Sequence, residues 1–166
     1  MTDSVEPADF CVGAEASVLV QEHVSADFIH YAGASGDFFP LHTDDSYARA
    51  AGFDTAFAHG MYSAGLLATA VTNYFGIGTL QRYKVRFAAK AWPGETLRTR
   101  ITVIAVRFDG TTQLVDFECS LGNADGELKI KGSGTAAVMP GPSPSTPSTP
   151  SEEVSVCTSN CAARTT

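Results

Sequence analysis

Positive charge is scarce in this chain. Eleven Lys and Arg face eighteen Asp and Glu, a formal net charge of −7. Duplex nucleic acid is held largely through neutralised phosphates, so a bulk nucleic-acid partner is not expected. A small anionic ligand held by a local cluster stays open. Long hydrophobic runs are missing too. The most apolar stretch, MYSAGLLATAV, is too short to span a bilayer and has polar flanks, so no membrane partner is expected. The first residues, MTDSVEPADF, have no basic region leading into an apolar run, and no secretory signal is expected. A cytoplasmic location follows as the expectation. Cysteine is sparse, with four in 166 residues. Cys11 and Cys119 are isolated, and Cys157 and Cys161 have no nearby His, so reduced thiols are the default and a zinc site would lack ligands. A disulfide between Cys157 and Cys161 stays open on spacing. No G-x-G-x-x-G follows a strand and no Walker loop occurs, so neither nicotinamide nor nucleoside-triphosphate chemistry is indicated.

Aromatic residues are absent from the end of the chain. Residues 139–166 contain five Pro, six Ser and five Thr, and such a composition cannot offset backbone entropy by burial. This segment is expected to be a disordered tail behind a single domain over residues 5–138. At 44% hydrophobic and 17% charged, the chain as a whole has the composition of an ordinary globular protein. It is large enough to fold without a disulfide or structural metal.

The body changes period along its length. A short strand is expected within Val12–Glu22. Ser25 caps a helix through ADFIHYAGASG, closed by Gly33 and Gly36. DDSYARAAG reads as a second short helix. HGMYSAGLLATAVTNYFG is the longest helical run, over residues 59–74, with Met61, Gly65, Leu66, Ala70 and Tyr74 recurring near one turn. Period two then takes over. Tyr83, Val85 and Phe87 alternate with Arg82, Lys84 and Arg86. Residues 96–108 form a long strand candidate, Asp109-Gly110 a hairpin turn, and Val115, Phe117, Cys119 and Leu121 one apolar face of the return. ELKIKGSGTAAV follows another turn. Four successive strands make an antiparallel sheet with one apolar face, and the expected fold class is α+β, a curved antiparallel sheet wrapped around a long central helix.

The densest cluster of reactive residues is Asp37-Phe38-Phe39-Pro40-Leu41-His42. His42 alone would be read as an ordinary half-buried side chain. Its setting changes that balance. Gly36 permits a sharp bend, Pro40 stiffens the loop, and Asp37 lies five residues before His42. A carboxylate and an imidazole held in this way position one water for proton transfer. No third metal ligand is evident, so proton transfer ranks above metal binding. Gly60 begins the long helix, where its unpaired amide can stabilise an oxygen gaining negative charge. His59 is either catalytic or a residue that shapes the same corner. Arg82, Lys84 and Arg86 form a positive row, read as a solvated face or as a grip on ligand phosphates. Phe38, Phe39, Phe53 and Phe57 suggest an apolar site, although a core needs such residues too.

The run Tyr31-Ala-Gly-Ala-Ser-Gly-Asp-Phe-Phe-Pro-Leu-His-Thr-Asp-Asp-Ser-Tyr-Ala48 resembles the signature of MaoC-like, R-specific enoyl-CoA hydratases. Ala58-His59-Gly60-Met61 and Trp92-Pro93-Gly94-Glu95 are similar to two further family patterns. The resemblance covers about residues 20–137. It implies a hot-dog fold and reversible hydration of a trans-2-enoyl-CoA to an R 3-hydroxyacyl-CoA, a lyase reaction of fatty acid metabolism. It implies that Asp37 and His42 are the catalytic pair and that the Gly60 amide holds the thioester carbonyl. Phe39 and Phe57 are assigned to the acyl group, and Arg82, Lys84 and Arg86 to CoA phosphates. No cofactor or metal is expected, CoA being part of the substrate. The expected assembly is a homodimer, with pairing to another hot-dog subunit as the alternative. The chain departs from the signature at Phe39, where the family has asparagine, and at Ala68, where serine is frequent. A hot-dog acyl-CoA thioesterase and a non-catalytic partner subunit are the rival functions.

Overall fold

The computed structural model describes residues 10–22 and 25–139. The predicted tail, apart from Met139, lies outside the described residues, as do Cys157, Cys161 and His23. The elements run β1 (Glu15–Glu22), α1 (Ser25–Ser35), a 3-10 turn (Pro40–His42), α2 (Asp45–Ala50), α3 (Gly60–Phe75), β2 (Leu80–Phe87), β3 (Thr96–Asp109), β4 (Thr112–Asn123) and β5 (Leu128–Val138). No helix among the described residues is long and apolar enough to cross a membrane.

The strands form one antiparallel sheet in the order β1-β3-β4-β5-β2. Period-two alternation builds its centre. On β4, Val115, Phe117, Cys119 and Leu121 are all buried, opposite Ile101 and Val103 of β3 and Ile130 and Ala136 of β5. Among the described residues Cys11 and Cys119 form no disulfide, and burial pushes the Cys119 thiol up to about 11. β2 does not pair with β3, its successor in sequence. It crosses to the far edge and pairs with β5, Lys84 opposite Ser133 and Arg86 opposite Lys131. Gly134 makes room there, because a Cβ at that position would collide with the Arg82 carbonyl and the Phe117 ring.

The expectation of a curved sheet wrapped around one long central helix is corrected by this arrangement. The fold is α+β and hot-dog-like, but its helical residues are divided among three α-helices and a 3-10 turn, and its sheet is open. The reason for the division lies in the breakers. Gly36, at φ 77°, ends α1, Pro40 starts the 3-10 turn, and Gly52, at φ 89°, follows α2. The sheet stays open because β1 and β2 occupy opposite edges and no ladder joins them. α3, with 16 residues, is about 24 Å long at 1.5 Å per residue. It lies on one sheet face instead of being enclosed. Its buried stripe is Ala64, Leu67, Ala70, Val71 and Phe75, and Phe75 stacks at 4.8 Å on Phe117. Of the recurring residues Met61, Gly65, Leu66, Ala70 and Tyr74, only Ala70 is buried, and Met61 and Gly65 are exposed.

Short helices are held by specific contacts. The Asp44 carboxylate caps α2 by accepting from the Ser46 and Tyr47 amides at 2.7 and 3.1 Å. Asp45 accepts from the Thr55 hydroxyl at 2.6 Å and the Ala56 amide at 2.9 Å, and these two bonds, with Arg49 adding attraction, hold its carboxyl below the usual range. This ties α2 to the segment that leads into Phe57.

Candidate active site

The loop between α1 and α2 is shaped mostly by backbone. The Gly36 amide closes α1 on the Ala32 carbonyl at 2.9 Å, and the left-handed turn at Gly36 redirects the chain so that Asp37 starts a new segment. The Asp37 carboxylate accepts the Phe39 amide at 3.2 Å, a local turn that aspartate favours. The His42 amide donates to the Phe39 carbonyl at 3.0 Å, and the Thr43 and Asp44 amides donate to Pro40. Asp37 and His42 therefore sit at the two ends of a stiff turn.

His42 Nδ1 lies 2.8 Å from the Phe57 carbonyl oxygen. A carbonyl only accepts, so this contact places the proton on Nδ1 and leaves Nε2 with its lone pair. His59 Nε2 is 2.9 Å from the Asp37 carbonyl oxygen and donates to it by the same argument. The two imidazoles are stacked with centroids 4.0 Å apart and planes 29° apart. His59 is buried, its Nδ1 has no hydrogen-bond partner, and its Nε2 is 4.0 Å from the Asp37 carboxylate. Asp37 itself is exposed. Each of these three residues offers an atom within 4.8 Å of the others, a set able to take a metal ion. A cation there would occupy the His42 lone pair that proton transfer requires, so the two uses compete.

The third expected component, Gly60, is the first residue of α3, directly after His59. Its amide belongs to the helix end that has no intrahelical acceptor. It lines a cavity of about 270 Å³ with Phe57, Ser63, Phe87, Ala89 and Lys90. The Phe87 ring would be 3.4 Å from a Cβ at Gly60. Asp37 and His42 do not line this cavity. Phe57 joins the two halves, its side chain in the cavity wall and its carbonyl on His42.

The other expected residues fall in different places. Phe39 is half exposed and meets the edges of His42 and Tyr47 at 6.4 and 6.0 Å. Arg82, Lys84 and Arg86 are exposed on the sheet face opposite α3. Alternation requires it, since Tyr83 on the same strand points inward and donates to the Ala64 carbonyl of α3 at 3.4 Å. The row is not brought to the Asp37–His42 corner within one chain. Lys84 and Arg86 instead line an outer groove of about 210 Å³ with Glu118 and Lys131. Two residues were not anticipated. Ser63 lines the cavity one turn after Gly60, and the Lys90 ammonium lies 5.0 Å above Phe53 and 5.5 Å above Phe57. The helical spacing of Ser63 from Gly60 was a usable signal; Lys90 carried none.

A family model described as "MaoC like domain" matches residues 7–120. Peroxisomal multifunctional enzyme type 2 of Mus musculus is 40% identical over 70 residues, 40% of this chain and 10% of that protein. The chain thus spans a tenth of that curated relative. A 3-hydroxybutyryl-CoA dehydratase of Methylorubrum extorquens is 28% identical over 119 residues, 69% of this chain and 76% of the relative. Among solved structures, an unliganded R-hydratase from Pseudomonas aeruginosa superposes with a TM-score of 0.72 at 24% identity, covering 82% of this chain and 86% of that one.

Proposed function

Because the chain belongs to the MaoC-like domain family, we propose that it catalyses reversible hydration of a trans-2-enoyl-CoA to an R 3-hydroxyacyl-CoA. The observation that carries this reading is the polarised His42. Its Nδ1–H is committed to the Phe57 carbonyl, which leaves Nε2 as a base, and a ring nitrogen of His42 lies within 4.8 Å of an Asp37 carboxylate oxygen. The names of the relatives, a 3-hydroxybutyryl-CoA dehydratase among them, support the same class of reaction.

The chemistry follows from those groups. Asp37 and His42 orient one water, and His42 Nε2 takes its proton as the oxygen bonds to C3. Electron density moves onto the thioester oxygen, where the Gly60 amide stabilises the enolate. The protonated His42 then returns the proton to C2, so the elements of water are added and the base is regenerated. Phe57 and the Gly60 cavity accept the acyl group, and Phe39 borders the pair from outside. His59 positions the loop through the Asp37 carbonyl. No redox step occurs in this sequence, so the reaction itself calls for no redox cofactor.

The protein works as at least a dimer in this reading. β1 and β2 leave open edges, which favour pairing with a second hot-dog chain, identical or not. A phosphate grip by Arg82, Lys84 and Arg86 acts through such a second copy, given their outward placement. Sedimentation of dilute protein tests the assembly, and a fully active monomer would refute it.

The function is tested by offering purified protein crotonyl-CoA and longer enoyl-CoAs. Loss of the conjugated thioester absorbance without free thiol supports hydration. Thiol release without a 3-hydroxyacyl product would reassign the protein as a thioesterase. Turnover only after mixing with another hot-dog protein would make it a partner subunit.

A further inference from the structure

Lys129 is fully buried, and the mechanism above does not use it. Its ammonium lies 2.7 Å from the carboxylates of both Glu95 and Glu127. Glu95 takes a second donor, Asn123 Nδ2, on the same oxygen at 2.9 Å. Its other oxygen accepts the Trp92 amide at 2.8 Å. Burial alone would raise the Glu95 carboxyl, but Lys129, the Trp92 amide and Asn123 outweigh it and hold it below the usual range. Two short turns are joined by this cluster, the one at 92–95 and the one between β4 and β5. The second is closed by its own bonds, Asn123 amide to Glu127 carbonyl and Glu127 amide to Asn123 side chain.

The turn at 92–95 leads back to the candidate site by two routes. The Trp92 ring meets the Phe57 ring edge-on at 5.5 Å. The Ala58 amide donates to the Ala91 carbonyl at 2.9 Å. Phe57 and Ala58 are consecutive, and the Phe57 carbonyl fixes His42. We infer that Glu95 is a positioning residue for His42: held by Lys129 and Asn123, it fixes the turn against which the Phe57 carbonyl is set. The Lys129 ammonium is fully buried and Glu95 mostly covered, while Glu127 reaches the ammonium from the surface, so losing Glu95 would strip a buried cation of its inner partner. Such a cluster suits a fixed anchor better than a mobile one. The catalytic consequence of this inference rests on the hydratase reading; its structural core does not.

The test uses the full chain with Glu95→Leu, Glu95→Gln and Asn123→Ala. The first readout is the His42 Nδ1–H proton in NMR, whose exchange with solvent is slow while the Phe57 carbonyl holds it. Glu95→Leu, which removes every acceptor, is expected to speed that exchange most. Glu95→Gln keeps an acceptor for the Trp92 amide and restores part of the protection, and Asn123→Ala gives the smallest change. The second readout is kinetic. Glu95→Leu is expected to lower kcat about 10-fold or more while KM stays within about twofold, the pattern of a misplaced base. A folded Glu95→Leu protein with parental His42 exchange would overturn the inference. Should Glu95→Leu not fold, unchanged His42 exchange in both Glu95→Gln and Asn123→Ala would overturn it. Altered exchange in a protein that hydrates no enoyl-CoA would refute the hydratase reading and leave the positioning role intact.

Discussion

Replacing His42 by Gln separates chemistry from stability, because the proposed mechanism gives the two ring nitrogens different tasks. Nδ1–H is the structural donor, 2.8 Å from the Phe57 carbonyl. One such bond contributes about 1 kcal/mol net, and the contact with the His59 ring about 1 kcal/mol more. A glutamine amide retains a donor for Phe57 but loses the ring contact. The expected loss of stability is therefore about 1 kcal/mol, rising to about 2 kcal/mol if the amide fails to reach Phe57, a shift in Tm of roughly 2–10 °C. In the proposed mechanism Nε2 is the base, and glutamine has no replacement for it. Turnover is expected to fall by at least about 100-fold, equivalent to about 2.7 kcal/mol of transition-state stabilisation. Asp37→Asn is the companion change. Asparagine keeps an oxygen for the Phe39 amide, which now donates to Asp37 Oδ1 at 3.2 Å, so the turn survives while the charge is lost. If the pair orients one water, the double variant costs much less than the two single effects combined. The assay follows the enoyl thioester absorbance together with free thiol, with Tm and dimer content measured on the same samples. Near-parental turnover in a folded His42→Gln protein would refute the assignment, and strictly additive losses would refute a shared water.

Three further outcomes are expected. Asp45, Asp116 and Glu95 all have carboxyls held low, Asp45 by Thr55 and Ala56, Asp116 chiefly by the Thr135 hydroxyl and Arg107, and Glu95 by donors that outweigh its burial. A depressed carboxylate contributes stability that is complete above its unfolded value and is lost as pH falls through its folded value. Tm is expected to hold down to the ordinary values of 3.8 and 4.5 for Asp and Glu and to decline below them; a Tm that rose on acidification would contradict it. Alanine at Arg82, Lys84 or Arg86 is expected to raise KM for a CoA thioester more than for a pantetheine thioester, and equal effects would assign the row to the surface alone. Deleting residues 141–166 is expected to leave the thermal transition unchanged, since that segment brings no aromatic residue to a core; a large loss of stability would show that it docks.

The parts of the fold legible in the sequence are those set by local period. Alternation over β4 identified its buried face residue by residue, because every second side chain must point the same way. The start of α1 and the helices α2 and α3 were visible from their caps and breakers. The position of β2 was not, because pairing with β5 in place of β3 depends on contacts about fifty residues apart. The buried stripe of α3 was missed for a related reason. Apolar and small residues occur all round that helix, and only the sheet below decides which stripe is covered. Lys129 was hidden by a register shift at Leu121/Gly122 that buries both Lys129 and Ile130, where strict alternation would bury one. In the candidate site, Asp37 and His42 were legible from a short stiff loop. The third member, His59, meets them through a contact 22 residues away in sequence, and only its place beside Gly60 hinted at it.

Phe39 shows why a departure from the family signature leaves the loop intact. Asparagine at that position suggests a side-chain support, yet the bonds that shape this turn come from the backbone of residue 39. Its amide donates to the Asp37 carboxylate, and its carbonyl accepts the His42 amide. Any residue except proline supplies both. The phenyl ring adds edge contacts to His42 and Tyr47 and is 48% exposed, so it covers one side of the pair without filling the cavity beside Gly60. Phe39→Asn is therefore expected to keep the fold and to leave the His42 Nδ1–H bond to Phe57 in place. Its effect should appear in how the acyl group is received: KM for long enoyl chains rises relative to KM for crotonyl-CoA, while kcat on crotonyl-CoA changes by less than about 10-fold. A collapse of kcat on every chain length would show that the ring holds the catalytic loop itself, and the backbone account of this turn would fail.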